Sequence, residues 1–443
     1  MKSFNFVKSK IITVIFLVVL FSFNGCEKQK EVSNEQTNSV KTKLTTIKFG
    51  MLPYGDHTYA IIGAKKGWFK EVGIDLEYQS IKVEEIVPFL KNNTMDVISC
   101  PPGILFSAYD NAPNLISFVF GDLFQGYAIL AQPDAGYFSY EEFITKGYTH
   151  EDAIRATINQ MKGKIFAYPT ETAIKPFIDL ALNKGGLTYN DIITKVLDDP
   201  LTIVAMRNKD ADFQVGGVPS RLTLQKDGFK PIITSSDFAK GAIPSANSSE
   251  LSSILQNGWA TNLNFYSENQ DTILRLASVN YRIMQYINDF PSEAIELHMP
   301  YLSQVSGQSF DSKDGIIIYN SLDPFFTFDA QKDWFLNVES PFYYKYINGS
   351  ILNSFIANGI YKSNPPNVDD VIYADDVYLK LNSLKNSTLK LFSAIDRNLG
   401  EKNNEVIRSK LNIAKRNFEI FNFFDSERIA KEIAEEMNIL PLK

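Results

Sequence analysis

In the first part of the chain, segments with the apolar pattern of strands alternate with segments whose apolar residues recur at helical spacing. Residues 47–51, 74–78 and 96–99 are short runs rich in apolar residues, the pattern of strands. Residues 59–69 and 84–92, between these runs, place apolar side chains at helical spacing. Strand, helix, strand, helix, strand in this order predicts a parallel sheet with right-handed crossovers.

The same pattern starts again near residue 163. It predicts further strands at 163–168, 194–197, 212–215 and 231–234, and helices at 173–184, 201–208 and 220–226. Two such units predict two α/β lobes, and residues 128–132 and 229–235 are the expected crossings between them. After about residue 259 the pattern is mainly helical, and the tail from about 377 is charged and amphipathic.

The first 43 residues differ from the rest of the chain. A basic leader precedes an apolar stretch at residues 11–23, which is too short to span a bilayer and predicts a signal peptide at 1–25. Gly25 and Cys26 follow, and this end resembles a bacterial lipobox. The resemblance implies cleavage before Cys26 and its acylation, and the alternative is an ordinary secretory signal with an incidental cysteine. The polar residues that follow predict a flexible tether at 26–44.

Composition narrows the function classes. The chain has 443 residues and a formal charge of −7, and removing the lysine-bearing leader makes it still more acidic, which argues against nucleic-acid binding. Its three histidines and two cysteines are scattered and form no metal-binding motif. We find neither a phosphate-binding loop nor a nucleophile elbow, so we expect no catalytic residue, metal or cofactor.

Four segments carry a resemblance to a known family. They are AKKGWFKEVGIDL at 64–76, NTMDV at 93–97, MKGKIFAYP at 161–169 and NKGGLT at 183–188. In order and spacing they resemble the substrate-binding proteins of ABC importers in the nitrate, sulfonate, taurine and thiamine-precursor group. The resemblance covers roughly residues 46–378. It implies an α/β, two-lobed periplasmic-binding-protein fold of type II with two hinge strands.

The chain departs from that family in a helical piece at 140–160 and in a helical C-terminal extension. The resulting division has three parts. Lobe 1 comprises 45–130 and, after the chain returns, the mainly helical residues 235–376. Lobe 2 comprises 131–234, and the C-terminal extension comprises 377–443.

Four loops follow predicted strands, at 53–59, 99–103, 170–173 and 216–221. Ligands of open α/β sheets bind beyond the carboxyl ends of the strands, so these loops are the candidate site. The candidate ligand-binding residues in or near them are Tyr54, Asp56, His57, Cys100, Pro101, Phe124, Thr170, Glu171, Thr172, Gly217, Arg221 and Trp259. Helix N-termini in these loops favour an anionic or hydrogen-bond-accepting ligand, whereas the two carboxylates favour a ligand with donors.

Most of these residues have a structural alternative. Asp56 either binds ligand or caps the next helix, and Glu171 either binds ligand or complements a helix dipole. Arg221 faces either the cleft or the surface. Cys100 is more typical of a small buried side chain than of a nucleophile. The family resemblance implies that Thr170 and Thr172 bind ligand oxygens, and His57 partly matches a histidine of the thiamine-precursor branch.

The sequence therefore predicts a non-enzymatic, monomeric binding protein for a small polar organic solute. We expect it to lie outside the cytoplasm, lipid-anchored through Cys26 to a bacterial membrane, and to deliver its solute to an ABC permease and ATPase. A lipid-anchored ligand sensor, or a secreted enzyme related to thiamine-pyrimidine metabolism, is the alternative.

Overall fold

The computed structural model describes residues 44–400 and 404–439; the predicted signal peptide and Cys26 lie outside them. Within these residues the strands are β1 Thr45–Met51, β2 Ile74–Ser80, β3 Val97–Cys100, β4 Leu115–Phe124, β5 Ala128–Ala131, β6 Ile165–Pro169, β7 Ile193–Leu197, β8 Phe213–Val215, β9 Lys230–Thr234 and β10 Leu255–Asn262. All the strands predicted from alternating apolar runs form at or near their predicted positions.

Helices connect and cover these strands. They are α1 Ala60–Lys66, α2 Trp68–Glu71, α3 Ile86–Lys91, α4 Pro102–Ala108, α5 Tyr140–Thr145, α6 His150–Asn159, α7 Lys175–Gly185, α8 Asp199–Arg207, α9 Val218–Lys226, α10 Ser235–Ala239, α11 Leu263–Glu268, α12 Gln270–Asp289, α13 Pro291–Ser306, α14 Ser312–Ile317, α15 Lys332–Phe335, α16 Tyr344–Ala357, α17 Ala374–Leu399, α18 Glu405–Glu419 and α19 Phe423–Glu436. The predicted helix at 59–69 is two helices, because Gly67 adopts a left-handed conformation with φ of 75° between them.

The strands form two five-stranded sheets with equivalent strand orders. The first sheet has the order β2-β1-β3-β10-β4, and the second has the order β7-β6-β8-β5-β9. In each sheet three neighbouring strands pair in parallel. The fourth strand, β10 or β5, runs antiparallel to them, and the edge strand, β4 or β9, pairs antiparallel with the fourth. We call the parts of the chain built around the first and second sheets lobe 1 and lobe 2.

The two connections between the sheets lie next to the predicted crossings. The segments predicted as crossings, around 128–132 and 229–235, are largely the adjacent strands β5 and β9 of the second sheet. The chain passes between the sheets at residues 125–127 and 235–254. Strands β4 and β10 flank these passages in the first sheet. β10 ends at Asn262, and the described chain after it is mainly helical, close to the predicted start of helical structure at about residue 259.

β4 and β10 were missed because all their residues are buried. A strand that is covered on both faces lacks the alternation of polar and apolar residues that identifies a half-exposed strand. β10 also contains three polar amides, Gln256, Asn257 and Asn262, which weaken its hydrophobic signal. The consequence for the site is large, because both strands contribute polar side chains behind the loop that follows β1.

The helical insertion and the helical extension both form. α5 and α6 occupy the predicted insertion and pack beside α7 of lobe 2. α17, α18 and α19 occupy the extension and pack against one another. Arg275 of α12 pairs with Asp425 of α19 at 2.9 Å, and Phe423 packs on Phe328 with ring centroids 5.5 Å apart. The extension is therefore attached to lobe 1.

No helix within the described residues is both long enough and apolar enough to span a membrane.

Candidate functional site

A small cavity lies between the two lobes, at the carboxyl ends of the parallel strands. It is lined by Tyr54, Asp56, His57, Pro101, Phe124, Tyr127, Glu171, Gly217, Val218 and Leu255. Its volume is about 10 Å³, close to the minimum that holds one water molecule. The lobes are therefore closed on each other, and side chains of both lobes meet where a solute would bind.

The loop after β1 forms the lobe 1 side of this cavity. The carbonyl oxygen of Tyr54 accepts hydrogen bonds from the backbone N–H groups of His57 and Thr58, both at 3.1 Å. This tight turn directs Asp56 and His57 inward. The Tyr54 ring itself lies over Gly217 of lobe 2, 3.2 Å from the position that a β-carbon there would take. A larger residue at Gly217 would therefore crowd Tyr54.

Asp56 is buried, with 4% of its surface exposed. Asn257 Nδ2 donates a hydrogen bond of 2.5 Å to Asp56 Oδ2, while Asp56 Oδ1 has no partner among the described residues. Burial raises the pKa of Asp56 to about 7, although the hydrogen bond from Asn257 acts in the opposite direction. One carboxylate oxygen is thus left with unused accepting capacity.

Glu171 faces Asp56 from lobe 2, in the loop that follows β6. It is 8% exposed, and its carboxylate forms no hydrogen bond or ion pair with any residue in the described parts of the chain. Burial raises the pKa of Glu171 to about 8, and repulsion from Asp56 and Asp199 adds to the shift. Burial of an acid without a hydrogen-bond partner costs free energy unless a ligand supplies a donor.

Two further acids lie behind the loop after β1. The carboxylate oxygens of Asp122 in β4 and of Asp323 have no hydrogen-bond partner among the described residues. Burial raises the pKa of both carboxyls well above the usual range, and repulsion from Asp56 raises both further. Asn257 is paired with Asp122 in the sheet register and thus lies between two carboxyls. The acidic character of the site extends well behind the cavity wall.

Positive charge near the cavity is scarce. None of the lining residues is a lysine or arginine. Arg221, in the first half of α9, donates from Nη1 to the carbonyl oxygen of Gly126 at 2.8 Å and does not line the cavity. Burial lowers the pKa of Arg221 to about 10, and attraction to Asp323 and Asp237 partly offsets the shift. Arg221, the only cation among the predicted site residues, therefore stabilises the connection between the lobes at Gly126.

Ser99, His57 and Asp56 form a continuous polar chain. Ser99 Oγ lies 3.1 Å from His57 Nδ1, and His57 Nε2 lies 3.3 Å from Asp56 Oδ2. This order resembles a nucleophile, a base and an orienting acid. However, Ser99 is 0% exposed in β3 and is not among the lining residues of the cavity. Burial lowers the pKa of His57 to about 3, so the imidazole is neutral and positions Asp56.

Seven of the twelve candidate ligand-binding residues line the cavity, namely Tyr54, Asp56, His57, Pro101, Phe124, Glu171 and Gly217. The structure places the other five elsewhere. Arg221 contacts Gly126, as described above. Thr170 is exposed, and Thr172 Oγ1 lies 2.9 Å from Ser107 Oγ in lobe 1. Cys100 is fully buried, which raises the pKa of its thiol. Trp259 is buried between Phe49 and Tyr59, with ring centroids 5.0 and 6.1 Å away.

A second cavity, of about 130 Å³, lies on the other side of Tyr54. It contains Asp199, which begins α8 and accepts a hydrogen bond of 3.0 Å from Ser220 Oγ. Burial raises the pKa of Asp199 to about 6. Sequence reasoning missed this residue, because an acid in the first turn of a helix is common for dipole reasons alone. No group of side chains in the described parts of the chain has the arrangement of a metal site.

This chain is similar to known proteins in structure but not in sequence. No family model matches this chain, and no curated protein matches it in sequence. A sulfonate-binding protein SsuA, described as putative, from Methylobacillus flagellatus KT superposes with a TM-score of 0.54 at 12% identity, covering 78% of this chain and 96% of that one. The aliphatic sulphonate binding protein SsuA from Escherichia coli gives 0.53 at 10%, covering 73% and 91%.

The nitrate-binding protein NrtA from Synechocystis PCC 6803 gives a TM-score of 0.53 at 14% identity, covering 76% of this chain and 88% of that one. These matches, together with two equivalent sheets joined by two connections, show the two-lobed architecture predicted from the sequence. The chain therefore has the two-lobed periplasmic-binding-protein fold of these sulfonate- and nitrate-binding proteins.

Proposed function

We propose that this chain is an extracytoplasmic solute-binding protein that takes up a small polar organic solute between its lobes. The observation that carries the proposal is the interlobe cavity, where Asp56 and Glu171 face each other from different lobes and have no lysine or arginine partner among the described residues. A solute with hydrogen-bond donors, such as an amine or an amino-heterocycle, would satisfy both carboxylates at once. It would thereby stabilise the closed arrangement of the lobes.

The charge of the site argues against a bare inorganic anion. Nitrate in this cavity would face two carboxyls and would meet no lysine or arginine at the cavity wall. Helix N-termini could offset this repulsion only in part, because each contributes about half a charge. The names of the similar proteins report nitrate and sulphonate binding by those proteins. We infer that this chain uses the same fold for a solute of different charge.

The fold also supports a role in import. The similar protein from Methylobacillus flagellatus KT is described as part of a sulfonate ABC transporter, so we propose an ABC permease and ATPase as the partners that receive the solute. Acylation of Cys26 would hold the protein, as a monomer, to the outer face of a bacterial membrane. A ligand sensor with the same anchor would bind solute in the same way but signal to a different membrane partner.

The test replaces each carboxylate by its amide. We expect Asp56→Asn and Glu171→Gln to weaken the binding of ethanolamine or aminopyrimidine, whichever binds the wild type, by about 1.5–3 kcal/mol, the range for hydrogen bonds to charged groups. Isothermal titration measures the affinity, and taurine and nitrate complete the panel of solutes. Asp134→Asn, which removes an exposed acid outside the site, is the matched control. Tighter nitrate binding by both site variants would overturn the proposal.

The chain from Ser99 through His57 to Asp56 makes an enzyme the second candidate. Its burial supports binding rather than catalysis, because a nucleophile outside the cavity cannot reach a solute within it. We expect wild type and Ser99→Ala to hydrolyse nitrophenyl esters equally slowly, at the rate of the buffer. Ester hydrolysis by the wild type that Ser99→Ala abolishes would favour the enzyme.

A further inference from the structure

The second cavity extends the solute site beyond Asp56 and Glu171. Tyr54 lines both cavities, and the larger one is also built from both lobes. A cavity of about 150 Å³ can hold benzene, so one of about 130 Å³ has room for a short aliphatic chain. A solute that extends along the Tyr54 ring would reach from one cavity into the other.

The larger cavity combines apolar walls with a single carboxylate. Pro53 and Val305 from lobe 1 and Pro200 and Ile203 from lobe 2 contribute apolar surface. Asp199 is the only charged residue among those that line it. Such a wall suits methylene groups, and the carboxylate suits a positively charged end group.

The Asp199 carboxylate is held in place but not neutralised. Ser220 Oγ donates to its Oδ1 at 3.0 Å, and no lysine or arginine in the described parts of the chain forms an ion pair with it. On the other side of Tyr54, Glu171 is more than nine-tenths buried, lines its cavity and has no partner in those same parts. Among the described residues, two acidic positions without a cationic partner thus line the two interlobe cavities that share the Tyr54 ring.

We propose that the solute is an organic dication, with two ammonium groups joined by a short apolar chain. One ammonium group binds Asp56 and Glu171, the methylene groups lie along Tyr54 and the apolar wall, and the other ammonium group binds Asp199. This assignment rests on the proposed function, since it specifies the solute class of that same site.

The experiment measures the affinity of the purified full chain for two amines whose carbon chains have the same length. Putrescine has an ammonium group at each end, and butylamine has only one. We expect the wild type to bind putrescine at least about tenfold more tightly than butylamine, because putrescine forms one further hydrogen bond to a charged group. We expect Asp199→Asn to reduce this preference to nearly one. Asp198→Asn, which removes an exposed acid one residue earlier, should keep it.

The outcomes separate the two proposals. Equal wild-type affinities for the two amines, or an undiminished preference in Asp199→Asn, would overturn the dication assignment and leave solute binding at Asp56 and Glu171 intact. Failure of putrescine to bind while ethanolamine or aminopyrimidine binds would overturn the dication assignment alone, whereas failure of all four amines would overturn the preference for donor-bearing solutes as well. The wild-type comparison needs no variant, so it decides the question even if Asp199→Asn folds poorly.

Discussion

At the scale of single residues, the buried carboxyls couple folding to pH. The pKa of Glu171 is about 8 in the folded chain against an ordinary value of 4.5, because burial disfavours the charged form. Between these two values the folded state binds more protons than the unfolded state. The free energy of unfolding is therefore not reduced by Glu171 below about pH 4.5. It falls as the pH rises from there through about 8, the pKa of Glu171 in the folded chain.

This linkage predicts how Glu171→Gln changes the pH profile. Without ligand, the wild type should lose thermal stability from about pH 5 to about pH 9 as Glu171 ionises. The variant cannot ionise at this position, so it should lose less across the same range. Thermal unfolding at both pH values measures the difference. Asp134→Asn should follow the wild type, and parallel profiles for wild type and Glu171→Gln would contradict the assigned burial.

Ligand binding should change the protonation of the same groups. A bound ammonium group favours ionised Asp56 and Glu171, so their pKa values fall and protons leave the protein on binding. We expect this release near neutral pH, because Asp56 and Glu171 titrate at about 7 and 8 in the ligand-free site. Titration calorimetry with putrescine in buffers of different ionisation enthalpy measures it. Proton uptake on putrescine binding would contradict pairing of its ammonium groups with ionised Asp56 and Glu171.

At the scale of elements, α9 connects the cavity to the opposite lobe. It begins next to Gly217 at the cavity wall, and its far end reaches lobe 1. There Lys226 Nζ lies 2.6 Å from Asp314 Oδ2, and Thr223 Oγ1 donates to Gln308 Oε1 at 3.1 Å. These contacts join the two lobes, so we expect them to break when the lobes separate and to stabilise the closed arrangement.

The ion pair of Lys226 should therefore affect ligand release. We expect Lys226→Met to weaken putrescine binding by about two- to fivefold, since partly exposed pairs contribute up to about 1 kcal/mol. The change should appear mainly as faster dissociation in stopped-flow measurements. Lys313→Met, which removes an exposed lysine next to Asp314, is the matched control. Equal effects of both variants would show that general charge, rather than the interlobe pair, is responsible.

At the scale of the whole molecule, two lobes with two connections imply hinge motion. Contacts across the lobes surround the small cavity, from Ser107 and Thr172 on one side to Lys226 and Asp314 on another. A solute enters a cavity of about 10 Å³ only if the lobes separate first. The closed arrangement is thus the one that a bound solute stabilises by its differential affinity.

Small-angle scattering tests this motion. We expect the radius of gyration of the full chain to be larger without ligand than with saturating putrescine, because binding shifts the lobes towards the closed arrangement. Glu171→Gln, with weakened binding, should need more putrescine for the same compaction. An unchanged radius at saturation would contradict closure on the solute.

Features that depend on residues close together in the chain could be predicted from the sequence alone. Apolar runs and helical spacing identified seven of the ten strands in the described residues and several of the helices between them, and the loops after β1, β3, β6 and β8 followed from these. Parallel strands bring their carboxyl ends to one edge of a sheet, so Asp56, Pro101, Glu171 and Gly217 could be placed at one site without coordinates.

Only the tertiary structure decided which side chains meet there. Asn257 binds Asp56 across 201 residues of sequence, from a strand without any alternation to reveal it. In the sequence, Asp199 is typical of an ordinary helix start, and Trp259 is a candidate ligand-binding residue, whereas the structure buries Trp259 in the core. Periodicity records which face of an element is buried, whereas the partner of a buried carboxylate depends on which distant elements the topology brings together.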